Sequence, residues 1–323
     1  MSYLLRRLLR AVLLIAGVSA LCFVFMQFAP GRFFDELRMN PQISPETIAQ
    51  LSARYGLDQP LLLRYGRWIR ALAQGDLGYS IAYNMPVASL LCNRAANTLL
   101  LTTIAMMLTW LIAVPLGVLA ATSRSLDRLV ATGSSLLVSI PEIVIAVGAL
   151  AIAVRTRTLP VGGMRSLGFE GLSTWGSFRD LLLRMLLPVL ILVVSGIAVI
   201  IRHVRASVLE VLEDPYIQAA RGLGIRPARL LFRHVLPVAA NPAVSLLGFS
   251  LAALLSGSLL VEVITGWPGL GPLMLEATLS RDLYLVIGGA MLSAVFMIGG
   301  NLIADMMLMI CDPRIRTGAQ DQN

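Results

Sequence analysis

Residues 184–237 read RMLLPVLILVVSGIAVIIRHVRASVLEVLEDPYIQAARGLGIRPARLLFRHVLP, and two kinds of sequence lie side by side in them. Between Arg184 and Arg202 stand 17 residues without a charge. A helix needs about 20 apolar residues to cross a bilayer, and an Arg at each end can snorkel to the headgroups, so this stretch reads as a short membrane span. The sequence then turns polar. Asp214 and Pro215 read as an N-cap and a first helical residue, and a short helix follows through Tyr216–Arg221. Gly222 and Gly224 can end that helix in the left-handed conformation. Pro227 opens a second short helix through His234, and Leu236–Pro237 closes it before the next apolar stretch. Small Ala219, Ala220 and Gly224 would let the backbone of another protein approach, while Arg221, Arg226, Arg229 and Arg233 supply charge. The plainer reading of the same Arg set is a basic amphipathic helix resting on anionic headgroups.

Working outward, the rest of the chain is of one kind with residues 184–202. Of 323 residues, 57% are hydrophobic and 14% charged, a ratio few water-exposed surfaces tolerate. Six stretches are long and apolar enough to span: 10–28, 98–121, 131–154, 184–202, 239–261 and 284–305. The first follows Arg6, Arg7 and Arg10 but is longer than the ~7–15 residues of a signal-peptide core, so it reads as an uncleaved anchor. Ser19–Cys22 is a poor lipoprotein site because Leu21 is large. With the N-terminus inside, the inside segments hold 13 Arg, against four and one in the two short outside loops, 155–182 and 262–283. That bias puts both termini in the cytoplasm, with seven further Arg in the long outside segment 29–97. The three Cys, at 22, 92 and 311, then fall in a span, outside and inside, so no two can meet.

The net charge of +8 is carried by 26 basic residues, all of them Arg. A Walker A loop needs a Lys to hold the phosphates, so the chain is no P-loop ATPase; if ATP drives it, another chain binds the ATP. His203 and His234 have no metal-ligand spacing, and HExxH, GxSxG and CxxC are absent. No catalytic, cofactor or metal site is therefore expected here. In 29–97, Ser44 and Pro45 open one helical pattern, Leu57–Pro60 is a turn, and Leu61, Tyr65, Trp68, Ile69 and Leu72 repeat at helical spacing with Arg64, Arg67 and Arg70 between them. This is either an amphipathic cap on the membrane or a platform for an external partner.

The spacing Gln218-Ala219-Ala220-x3-Gly224-x11-Leu236-Pro237 resembles the EAA motif of ABC-importer permeases, with Gln218 where the motif has Glu. Tyr55–Pro60 and Gly75–Gly78 resemble the external segment of the dipeptide/oligopeptide/nickel branch of that family. Arg205–Leu212 is similar to its stretch before the coupling helix, Trp267–Gly271 to its fifth external loop, and Asn301–Asp305 with Asp312–Arg314 to its C-terminal end. The resemblance implies an all-α integral membrane protein of the bacterial inner membrane, with six transmembrane helices. It would be type I importer permease-like, with an extracytoplasmic helical insertion after the first helix. The divisions would be 1–28, 29–97, a core 98–309 containing the coupling loop 203–237, and a tail 310–323. Gln218, Ala219, Ala220, Arg221, Gly224, Arg226, Leu236 and Pro237 would couple the chain to an ATPase. The implied partners are a second homologous permease, two ATPase subunits holding ATP and Mg, an external binding protein and the bilayer; nucleic acid is not among them. Cargo stays open among dipeptides, longer peptides, nickel and metallophore complexes.

Two further features carry expectations. Glu142, after Pro141 in the third apolar stretch, departs from the neutral or apolar residue usual in that family. A mid-membrane carboxylate costs about 2.5–3.5 kcal/mol on insertion scales, so it should face a polar interior. It reads as lining the pathway and favouring cationic cargo, or as a carboxylate bonded to a neighbouring hydroxyl or protonated. Trp267, Pro268 and Gly269 read as a rigid turn whose Trp anchors at the interface, or as a loop at the outer mouth near the gate. Pro115, Pro141 and Pro188 are expected kinks, and Asp305 a cap or Arg partner at the inner end of the last span. The competing class is an ion-coupled secondary transporter, which would usually show more spans, an inverted repeat and several membrane carboxylates. A non-transporting scaffold would need none of the ordered motifs.

Overall fold

The computed structural model describes residues 3–28, 46, 59–166 and 168–311. The expected helix opened by Ser44–Pro45 and the segments Tyr55–Asp58 and Asp312–Arg314 lie outside the described residues. The described chain is helical, with one two-residue hairpin, and divides into two compact units. One unit comprises residues 1–97 and 268–296, the other residues 98–267 and 297–323.

The helices, in chain order, are α1 (Tyr3–Phe28), α2 (Leu61–Leu72), α3 (Val87–Thr122), α4 (Arg124–Ser139), α5 (Glu142–Thr156), α6 (Thr174–Glu213), α7 (Pro215–Gly222), α8 (Pro227–Leu230), α9 (Leu236–Thr265), α10 (Leu270–Leu279) and α11 (Leu283–Cys311). The hairpin pairs β1 (Tyr79–Ser80) with β2 (Met85–Pro86). Among the described residues, Val87–Thr122, Thr174–Glu213 and Leu283–Ile303 are each long and apolar enough to cross a membrane. Counting the broken pairs Arg124–Ser139 with Glu142–Thr156 and Ser256–Thr265 with Leu270–Leu279 as one span each raises the number to five; Leu9–Phe25 is a shorter apolar helix.

The third expected span, 131–154, is not continuous. α4 and α5 meet at a bend of 94°. Pro141 has no N–H to donate and its ring forces the preceding residue out of the helical region, and Ile140 is extended at φ −91°, ψ 121°. Pro115 and Pro188, by contrast, stay inside α3 and α6. α6 extends well past the expected 184–202. It is capped at one end by Ser173, whose Oγ accepts from the Gly176 N–H at 3.2 Å, and stops at Asp214–Pro215.

In the first unit, α2 lays its aromatic face on α1. The rings of Phe23 and Tyr65 meet edge to face at 5.1 Å, and Trp68 is buried with its Nε1 donating to Leu77 O at 3.2 Å. The hairpin, which no sequence pattern announced, is held by the buried Asp282. Its Oδ2 accepts from Ser80 Oγ at 2.6 Å and from Ala82 N at 3.1 Å. In the second unit, one core gathers Leu101, Ala146, Ile191, Leu192 and Trp267, and another gathers Ile201, Val208, Ile217, Leu230 and Val235. Leu111, Leu136 and Ile152 turn outward, as side chains that face lipid do.

Candidate coupling loop and membrane cavity

Both features of interest lie in the second unit. The loop begins where α6 ends. There Arg205 grips Asp127 of α4 through both guanidinium arms, Nη2 to Oδ2 at 3.0 Å and Nε to Oδ1. Gln218 Nε2 donates to Leu212 O at 2.9 Å and so braces α7 against the last turn of α6. Ile217, fully buried, roots α7 in the second core, with Leu230 and Val235 doing the same for the next segment. Gly224 stands at φ +75°, a conformation that a side chain would strain, and turns the chain between α7 and α8. Gly222 does not share that role: it is the last residue of α7, and Leu223 after it has φ −77°. After α8 the backbone widens into a π turn, Leu231–Val235, and runs without a break into α9. The wide turn makes room for Pro237, whose ring would otherwise press on the carbonyl of Arg233. Leu236–Pro237 therefore joins the loop to the following helix rather than closing it off.

Gln218, Ala219, Arg221, Gly224, Arg226 and Pro237 are exposed, while Ala220 and Leu236 are half-buried and pack on the second core. None of Arg221, Arg226, Arg229 and Arg233 is held by an ion pair among the described residues. Sequence reasoning overlooked the apolar part of this face. Leu223 is 83% exposed, Phe232 70% and Tyr216 47%. The signal was Leu223 between two glycines, where a leucine has no helix face to cover.

The second feature is a cavity of about 620 Å³. Its walls are Thr109 of α3, Glu142 of α5, Leu192 to His203 of α6, and Leu246, Ser250, Leu254 and Gly257 of α9. Glu142 is thus the first residue of α5 at the break in the third span, rather than the middle of a helix, and it is half-buried. Its carboxylate fills the notch left by Gly257, where a Cβ would sit 2.9 Å from Oε2.

Trp267 lies away from this cavity. It is 1% exposed, in the core with Leu101 and Ile191, and its N–H donates to Glu262 O at 2.9 Å. The neighbouring Gly266 O accepts from Gly163 N at 3.0 Å. Pro268 and Gly269 belong to the first unit, where Pro268 O accepts from Asn97 Nδ2 at 2.8 Å and Gly269 precedes α10. Glu142 and Trp267, grouped in the sequence reading as pathway residues, are not brought together: Glu142 lines the cavity and Trp267 lies in the core.

Long apolar helices, a span broken beside a carboxylate-lined cavity and an exposed basic helix–turn–helix define a membrane-embedded transport component. Residues 113–317 match the family model described as binding-protein-dependent transport system inner membrane component, and residues 1–102 match the model of its N-terminal part. The chain belongs to this family of inner-membrane transport components. It is 34% identical to the oligopeptide transport system permease protein AppB of Bacillus subtilis, over 97% of this chain and 99% of that one. Over 98% of this chain and 99% of the other, it is also 34% identical to the dipeptide transport system permease protein DppB of Escherichia coli K12. In fold it is similar to a structure titled "Inward facing conformations of the MetNI methionine ABC transporter". The TM-score is 0.53 at 19% identity, covering 70% of this chain and 97% of that one.

Proposed function

We propose that this chain is one membrane-spanning subunit of an ATP-driven importer of peptides, moved between inward-open and outward-open forms by separate ATPase subunits. The observation that carries the proposal is the loop 214–237: a rigidly rooted helix–turn–helix whose outer face presents Leu223, Phe232 and Tyr216 among Arg side chains that form no ion pair among the described residues. An exposed apolar patch rimmed by charge is the mark of a protein contact. A loop fixed to the ends of α6 and α9 would pass the movement of its partner directly to the helices that wall the cavity. The names of the relatives, permeases for oligopeptides and dipeptides, support peptides as the cargo class.

In this reading Ala219 and Gly224 seat closely against an ATPase subunit, Arg221 and Arg226 make polar contacts to it, and Gln218, Ala220, Leu236 and Pro237 hold the loop in shape. ATP and Mg reside on that partner. A second permease completes the pathway, an external binding protein delivers cargo, and both termini of this chain lie in the cytoplasm. Trp267 acts from within the core, stiffening the turn that leads to Pro268 and Gly269. The test is co-expression with candidate ATPase subunits and a candidate second permease from the same genome, followed by mild solubilisation. A stable complex that Gly224→Asp weakens, without loss of membrane insertion, is expected. A well-inserted chain that retains no ATPase would overturn the proposal.

A further inference from the structure

The cavity has a chemical bias that its apolar lining conceals. Glu142 projects a carboxylate into it and makes no hydrogen bond or ion pair among the described residues. The two alcohols whose bonds are seen have spent their hydrogens on their own helices: Thr109 Oγ1 donates to Ala105 O at 2.7 Å, and Ser250 Oγ to Leu246 O at 2.8 Å. Their oxygens keep lone pairs and can only accept. His203 Nδ1 lies 2.8 Å from Val199 O; a carbonyl accepts, so Nδ1 carries the hydrogen. Ser195 Oγ is buried with no hydrogen-bond partner among the described residues. Glu142 of α5 and Ser250 of α9 thus offer acceptors, one of them charged, to a space of about 620 Å³, with the buried hydroxyls of Thr109 and Ser195 behind its wall; that volume lies within the range of ligand sites, roughly 300–1,000 Å³.

A carboxylate in an apolar cavity with an accepting hydroxyl nearby calls for a group with a positive charge and several donors. A primary ammonium has three N–H donors and no lone pair. We infer that this cavity holds a primary ammonium of the cargo during passage, specifically the N-terminal amine of a peptide. The inference rests on the importer reading above. Every peptide with a free N-terminus other than proline carries this group whatever its other side chains, so the site selects for the class and not for the sequence. Glu142 supplies the counter-charge, and the Ser250 hydroxyl accepts a further N–H bond. Gly257 keeps the carboxylate in place, since a Cβ there would stand 2.9 Å and 3.1 Å from its two oxygens. The apolar wall of Leu192, Ile200, Leu246 and Leu254 raises the cost of an unmatched charge and so sharpens the choice.

The test uses the assembled complex of this chain with its partner permease and ATPases, without binding protein, so that no other subunit selects the cargo. Equilibrium binding is measured for trialanine, N-acetyl-trialanine and N-acetyl-Ala-Lys-Ala. Trialanine is expected to bind at least about tenfold more tightly than its N-acetyl form, as the loss of a charge-assisted hydrogen bond implies. Glu142→Gln should abolish that preference, and Gly257→Ala, which displaces the carboxylate while leaving every charge in place, should weaken it. Glu142→Asp should restore part of it. Equal binding of trialanine and N-acetyl-trialanine by the unaltered complex would overturn the inference while leaving the importer reading intact. So would a complex that loses its second permease on Glu142→Gln, which would make the carboxylate an intersubunit ion-pair partner. Binding of N-acetyl-Ala-Lys-Ala as tight as trialanine would overturn the assignment to the N-terminus. Failure of the ATPases to co-purify with the unaltered chain would take down both readings together.

Discussion

Arg205, nine residues before Asp214, reaches from α6 to α4 and closes a two-armed ion pair on Asp127, with Nη2 at 3.0 Å from Oδ2. The pair stands where α6 leaves the apolar part of the chain and begins to carry the exposed loop. A two-armed contact fixes orientation as well as distance, so α4 has to follow α6 when the loop is pushed. Either single neutralisation, Asp127→Asn or Arg205→Gln, should therefore lower peptide uptake more than it lowers ATP hydrolysis. The exchanged double variant, Asp127→Arg with Arg205→Asp, should recover part of the loss. The ratio of uptake to hydrolysis in liposomes measures this.

The exposed apolar face of the loop makes a sharper prediction. Leu223 touches little of its own chain, so Leu223→Asp should leave folding and insertion unchanged. Leucines of this kind matter in contacts only when a partner covers them. Loss of one such contact should weaken ATPase retention by about tenfold or more. Quantitative pull-down at matched expression reads the effect.

Ile217 points the other way, fully buried beneath α7. Ile217→Ala removes core packing and should cost about 2–5 kcal/mol of local stability. Its effect on ATPase retention should be accompanied by faster amide exchange across residues 215–235, which Leu223→Asp should not change. Hydrogen exchange of the two variants side by side separates rooting from contact.

Tyr83 supplies a pH signature outside the membrane spans. Burial pushes its phenol up to about 12, and the Glu276 carboxylate that accepts its hydrogen bond adds to the rise. A raised value means that the folded unit holds its proton where the unfolded chain, near 10, begins to lose it. The stabilisation is complete below pH 10 and is lost as pH climbs toward 12. Phenolate absorbance, with Tyr83→Phe as the subtracted reference, should titrate near 12, and Glu276→Gln should bring the midpoint down.

The helices were legible in the sequence to the degree that their ends were marked. The apolar run 184–202 is plain, yet α6 spans Thr174–Glu213, because the caps that bound it, Ser173 and Asp214–Pro215, sit well outside the uncharged stretch. From sequence alone Pro141 reads as a kink in one helix; its effect on Ile140 and the bend of 94° make it a break, which places Glu142 at a helix start rather than mid-helix. The turn of the loop was visible in its glycines, but only the backbone distinguishes Gly224 at φ +75° from Gly222 in α7. Trp267 read as an interfacial or mouth residue because tryptophan favours such places; what buries it comes from α3 and α6, and no local pattern carries that. For the same reason Glu142 stood out as a charge, while Gly257 and the accepting hydroxyls around it did not.

The central claim is that this chain transports only as part of an ATP-driven assembly. The most direct measurement is uptake of a labelled peptide into liposomes containing this chain with its partner permease and ATPase subunits, and with the binding protein present on the cargo side. The account predicts uptake that requires ATP and every subunit, and that fails with Gly224→Asp. Uptake by this chain alone under an ion gradient, without ATP, would contradict it.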